Sequence, residues 1–154
     1  MLASVHDYQA AAQLGEQSYP LAIGTPSERR VVMAWADNLT RVGQGAEAAK
    51  LLADFVTFFP QDQALLQNAL SDALVGADSN VLRPLLPIML KQDTALSESG
   101  ILALYVLCRN AVKANDVKEA KHWLEVMNQY AAEHRLTGMA RHLMKTMKTP
   151  DPVP

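Results

Sequence analysis

The chain has a single cysteine, Cys108, in 154 residues. A lone thiol closes no intrachain disulfide and builds no thiolate metal cage, and the shortage leans towards a reducing compartment. Aromatic residues are few, at 6%. The longest unbroken apolar run, Ile101 to Cys108, falls far short of the roughly 20 residues that cross a bilayer. The opening segment MLASVHDYQAAAQ has neither the basic start nor the apolar stretch of an export signal. These absences point to the cytoplasm and away from membrane insertion, for a chain that can equally be a piece of a longer protein.

An excess of basic charge is lacking too. Lys and Arg number 14 against 16 Asp and Glu, a net charge of −2, so nucleic acid is not expected as the main ligand. The charge is unevenly spread. Residues 1–100 hold 6 basic and 11 acidic side chains, whereas residues 101–154 hold 8 basic and 5 acidic ones, with His122, His134 and His142 in addition. A solvated helix face accounts for that basic end. Catalytic signatures are missing as well. The four histidines show no HxxxH, HxxH or HExxH spacing, and no phosphate loop, nucleophile elbow or carboxylate pair stands out. Cys108 and His122 have the chemistry of a nucleophile and base, but Cys108 sits where a small packing residue is needed. The expectation is a protein without catalysis, metal or cofactor.

What the chain does have is helical periodicity. Residues 5–19 read as one helix, ending near Tyr19-Pro20. Thr25-Pro26-Ser27-Glu28 then forms a helix start, with Thr25 or Ser27 as cap, Pro26 in the first turn and Glu28 complementing the dipole. Val32, Trp35, Ala36 and Leu39 follow at i, i+3, i+4, i+7, predicting a helix over 27–42 that buries them. Gly43 suits a C-terminal cap, and the next helix is expected to run to about Phe59 and stop before Pro60. Residues 63–76 carry Leu66, Ala69, Leu70 and Ala73 on one face. Pro84 and Pro87 limit the segment after Asn80, the expected cap, to a short or kinked helix between about 81 and 91. Further helices are expected from Asp93 or Thr94 to about Ala114, over 117–132 and over 134–148. The tail 149–154, with three prolines, is expected to be disordered.

Two of these stretches match. Residues 29–62 and 101–132 each place a small residue in mid-helix (Ala36, Cys108), a short polar break (Gly43-Gln44-Gly45, Asn115-Asp116) and a second small residue twelve positions after the first (Ala48, Ala120). A fixed internal period of this size marks stacked helical hairpins. With Arg29 as the first position, the pattern resembles the tetratricopeptide repeat, a helix-turn-helix unit of 34 residues. Ala36 and Ala48 take its eighth and twentieth positions, Leu52 and Phe55 its second-helix packing sites, and Pro60 its closing proline. From Ile101, the positions of Leu104, Leu107, Cys108 and Ala111, then Ala120, Leu124 and Met127, agree. Asp7, Tyr8 and Ala11 fit a second helix, and Leu136, Met139, Ala140 and Leu143 fit a first helix that caps the stack. The middle departs from the pattern, with Leu70 where a small residue belongs. Pro84 and Pro87 there favour a HEAT-like arrangement as the rival.

The resemblance implies an all-α, right-handed α-solenoid of antiparallel helix pairs, about three hairpins plus a C-terminal capping helix, as one domain over 1–148. It also implies a concave groove for a partner peptide or helix, lined by Arg30, Met33, Asp37 and Arg41, by Gln67, Asn68 and Ser71, and by Tyr105, Arg109, Val112 and Lys113. Arg41, Arg109 and Lys113 would then meet acidic groups of the partner. Members of the family that hold chaperone tails clamp a carboxylate with Lys and Asn. Here Met33, Asp37, Leu102 and Val106 take most of those positions and only Asn68 agrees, so such a tail is not expected. Phe55, Phe58 and Phe59 read as core between repeats, and the Met139, Met144, Met147 stripe as packing on the preceding hairpin. The function expected is a non-catalytic adaptor or scaffold for another protein. The rivals are a small cytoplasmic chaperone for a secretion or assembly subunit, and a self-associating element forming a homodimer.

Overall fold

The computed structural model describes residues 5–91 and 96–147. Among these residues there are nine helices and no strand: α1 (Val5–Ala22), α2 (Glu28–Arg41), α3 (Gly45–Val56), α4 (Gln63–Gly76), α5 (Ser79–Leu82), α6 (Leu85–Leu90), α7 (Glu98–Lys113), α8 (Val117–Ala131) and α9 (Arg135–Lys145). The expected tail 149–154 and the expected helix starts at Asp93 and Thr94 lie outside the described residues. The chain divides into two compact units, Met1–Ile88 and Met89–Pro154, with the division falling inside α6.

In the first unit, helices pack in chain order: α1 on α2, α2 on α3, α3 on α4, and the short α5 on α3 and α4. In the second, α7 and α8 form a hairpin and α9 packs against both. The hairpins α2–α3 and α7–α8 turn in the same way. Gly43 and Asn115 take the left-handed backbone conformation. The N–H of the next residue then reaches back five positions, from Gln44 to Leu39 O at 2.8 Å and from Asp116 to Ala111 O at 2.8 Å. These bonds satisfy carbonyls that the helix end would otherwise orphan. Glycine takes that conformation without strain, and Asn is among the few other residues that tolerate it.

Each hairpin closes over small residues. Ala36, Ala48, Cys108 and Ala120 are all buried. The Cys108 thiol reaches the carbonyl of Ala120, Sγ to O 3.6 Å, so the two helix backbones approach closely at that level. Around these contacts lie fully buried Leu52, Leu65, Leu66 and Leu70 in the first unit and Leu104, Leu107 and Met127 in the second. Burying each such side chain contributes roughly 1.5–3 kcal/mol.

Several helix ends differ from the expectation. The first helix runs through Pro20 to Ala22. A proline in the last turn sacrifices one bond near an end that is already fraying, a smaller loss than in mid-helix. Before α2, Thr25 does the capping: its hydroxyl donates to Ala22 O at 2.7 Å and accepts from Ser27 N at 3.2 Å. Ser27 itself makes no side-chain cap bond, and Glu28 reaches back to accept from Gly24 N at 3.1 Å. Asp78, not Asn80, caps α5 by accepting from Asn80 N. The segment around the two prolines breaks into α5 and α6 on either side of Arg83 and Pro84, which is the expected interruption. Ser97 caps α7, accepting from Gly100 N, so that α7 begins at Glu98.

Two aromatic expectations fail. Phe55 is core at 2% exposure, but Phe58 is 75% and Phe59 38% exposed. The helix ends at Val56, so these rings leave its buried face, and Phe59 lies against Phe55 with ring centroids 4.7 Å apart. Trp35 is half-buried instead of core. It covers Gly15 of α1, where a Cβ atom would come within 2.7 Å of the Trp35 Cβ.

Candidate partner-binding cleft

The face of α2 that carries Met33, Asp37 and Thr40 looks onto the face of α4 that carries Asn68, Ser71 and Asp72. Between them lies an open cleft of about 290 Å³, with Ala36 and Leu52 also in its lining. The two helices are held side by side by specific contacts. At their starts, the Arg29 guanidinium grips Asp62 through Nε and Nη2, while Asp62 caps α4 by accepting from Leu65 N at 3.1 Å. Further along, the Asn68 amide meets the Met33 sulfur at 4.0 Å. The hydrogen bond from Arg29 is the main cause that holds the Asp62 carboxyl below the ordinary aspartate range.

Four of the residues expected in the groove therefore come together: Met33, Asp37, Asn68 and Ser71. Arg30 does not join them. It is exposed, with Nη2 3.4 Å from Ser27 Oγ. Arg41 is turned to internal partners. Its Nε donates to Asp37 at 2.9 Å, its Nη1 to Tyr8 OH at 3.2 Å, and its carbon lies 5.0 Å from the centroid of the Tyr8 ring.

The sequence pattern missed Asp72. Burial, and secondarily the nearby Asp37 charge, push its carboxyl above the usual aspartate range. A strict 34-residue frame aligns Asp37 with Ser71. The helices register instead at the 35-residue offset that joins Met33 to Asn68, and that offset carries Asp37 onto Asp72. One residue of shift turns a helix face by about 100°, which is enough to leave a groove residue out. The 35-residue distance between the helix starts at Glu28 and Gln63 is the signal that finds it.

In the second unit, Tyr105, Arg109 and Lys113 lie one turn apart along α7. Tyr105 and Arg109 are half-buried and Lys113 is exposed. Arg109 Nε is buried and has no hydrogen-bond partner among the described residues. Cys108 points the other way, into the α7–α8 contact, and burial pushes its thiol pKa up. That is the setting of a packing residue, since nucleophilic thiols need a lowered pKa.

Compared with this chain, no family model, no curated protein and no solved structure matches.

Among the described residues no group of three or more His, Cys, Asp or Glu is placed to hold a metal ion, and no helix is long and apolar enough to cross a membrane. A second cleft, of about 340 Å³, opens on another side of α2, where Trp35 and Leu39 meet Glu16 of α1 and Glu47 of α3. Exposed apolar side chains gather on α1 and just after it: Leu14 is 63%, Leu21 85% and Ile23 57% exposed.

Proposed function

We propose that the chain is a tetratricopeptide-like helical-repeat module, a right-handed α-solenoid that binds another protein and performs no chemistry of its own. On this reading α2, α4 and α7 are first helices, and their outward faces receive a partner peptide or helix. The observation that carries the proposal is the meeting of Met33, Asp37, Asn68 and Ser71 around one cleft. A cleft between parallel neighbours, with an apolar floor and a polar rim, suits an inserted side chain better than a catalytic step. The buried, protonated Cys108 supports the non-catalytic part.

The test is site-specific photo-crosslinking in native lysate. A photoreactive residue at Ser71 is expected to trap a discrete partner, while one at Glu125, on the exposed face of α8, traps none. Equal labelling from both positions would remove the cleft as the binding surface. A second reading, self-association, draws on exposed Leu14 and Leu21. A crosslinker at Leu14 that yields a covalent pair of chains, with no heterologous adduct from Ser71, would favour it.

A further inference from the structure

The cleft between α2 and α4 has a chemistry more specific than its shape. Its apolar surface comes from Met33, Ala36 and Leu52, and its polar surface from Asn68, Ser71, Asp37 and Asp72. Among the described residues no basic side chain lines it. The nearest candidate, Arg41, is committed to Asp37 and Tyr8. Asp72 has no hydrogen bond or ion pair among the described residues, although it is half-buried. A carboxylate stripped of part of its water, beside a second carboxylate and without a protein counter-ion among the described residues, is under-compensated. An entering cation offsets that cost. An entering anion would deepen it, because like charges brought together cost several kcal/mol.

We propose that the cleft receives a lysine or arginine side chain of a partner protein, its aliphatic stem on Met33 and Leu52 and its cationic head between Asp72 and Asp37. Long basic side chains combine these two needs, an apolar stem and a charged tip. Asn68 and Ser71 add acceptor oxygens at the rim. The volume of about 290 Å³ admits one such side chain. The partner presents its basic residue from an extended or exposed segment. This rests on the reading of the cleft as a partner-binding surface, and it reverses the charge that Arg41, Arg109 and Lys113 suggest from sequence alone.

The test uses the full chain with ¹³C-methyl methionine, the Met33 signal being identified by Met33→Leu. Three short acetylated peptides are titrated, alternating alanine with lysine, glutamate or glutamine. The lysine peptide is expected to shift the Met33 methyl, with a dissociation constant at least tenfold weaker in Asp72→Asn and weaker again in high salt. Asp72→Asn keeps the side-chain shape, and an unchanged far-ultraviolet circular dichroism spectrum confirms that the helices of both units are intact. If glutamate or glutamine peptides shift Met33 and lysine does not, the cation preference is wrong and the binding surface stands. If no peptide shifts Met33, the cleft reading falls with it. If Asp72→Asn binds the lysine peptide as well as the parent does, the proposal is overturned. Shifts of Met33 that depend on protein concentration alone would assign the cleft to a second copy and overturn it as well.

Discussion

The two halves of this molecule start from one device and close it differently. Hairpins α2–α3 and α7–α8 share the left-handed residue after the first helix, the N–H that reaches back five positions and the small residues at the crossing. From α1 to α4 the first half grows by adding each helix to its predecessor, so that α2 and α4 border an open cleft. The second half folds α9 onto both members of its hairpin. His134 fastens that closure. Its Nδ1 accepts from Leu136 N at 3.1 Å to cap α9, which leaves the ring proton on Nε2, 3.0 Å from the Glu98 carboxylate at the start of α7. A chain-order stack leaves surfaces between alternate helices, and a three-cornered bundle consumes them. Binding surface in a repeat therefore depends on where the next helix lands as much as on the repeat motif.

The sharpest way to break the parallel is to widen both crossings. Ala48→Leu and Ala120→Leu each insert bulk where no space exists, and each is expected to cost about 3 kcal/mol in urea unfolding. Unequal losses, with one variant close to the parent, would show that the hairpins are not the same device. Next in size is a glycine pair. Gly15→Ala drives a methyl into the Cβ and Cα of Trp35 and should destabilise by about 1–2 kcal/mol. The corresponding methyl at Gly100 meets the flexible sulfur end of Met89. There the helix propensity of alanine, about 1 kcal/mol, makes Gly100→Ala neutral or stabilising in thermal melts.

Caps come third. Asp62→Ala and His134→Ala each remove a cap and a link between helices, and each is expected to cost about 1 kcal/mol. Response to pH separates two carboxylates of the first half, Asp62 and Asp72. The folded-state pKa of Asp62 is lowered, so its contribution is complete above the unfolded-state pKa of about 3.9 and is lost as pH falls through the folded value. That of Asp72 is raised, so its charge opposes folding at neutral pH and the penalty fades as pH falls through the raised value. Asp72→Asn should therefore raise the melting temperature at pH 7 and leave it unchanged near pH 3, opposite in sign to Asp62→Asn. The smallest effect is expected at Arg109→Met. Removing a buried donor without a partner should leave stability unchanged or improve it by up to about 1 kcal/mol.

How much of this was legible in the sequence follows the physics of each feature. Helix periodicity marked α2, α4 and α8 to within a residue or two, because an amphipathic face repeats over several turns. The small-residue spacing anticipated the Cys108–Ala120 contact, since only small side chains permit that approach. Helix ends were less readable. Pro20, Asp78 and Ser97 each decide a boundary through one local bond that competes with nearby alternatives. Phe58 and Phe59 misled because hydrophobicity says nothing about a helix that stops two residues earlier. Asp72 was hidden by a single-residue offset, and the pairing of Arg41 with Tyr8 joins residues 33 positions apart, beyond any local pattern.

The chain-order packing of the first half also bears on how the protein is made. Each of helices α2 to α4 finds its partner in the segment just synthesised, so docking can follow elongation at about 5–20 residues per second, with the short contact separations that favour fast folding. The second half has no such schedule. Its α7–α8 hairpin must keep the surface meant for α9 exposed until Thr137 and Ala140, both fully buried in the finished fold, have left the ribosome. During synthesis the vulnerable interval belongs to the half that ends up more closed.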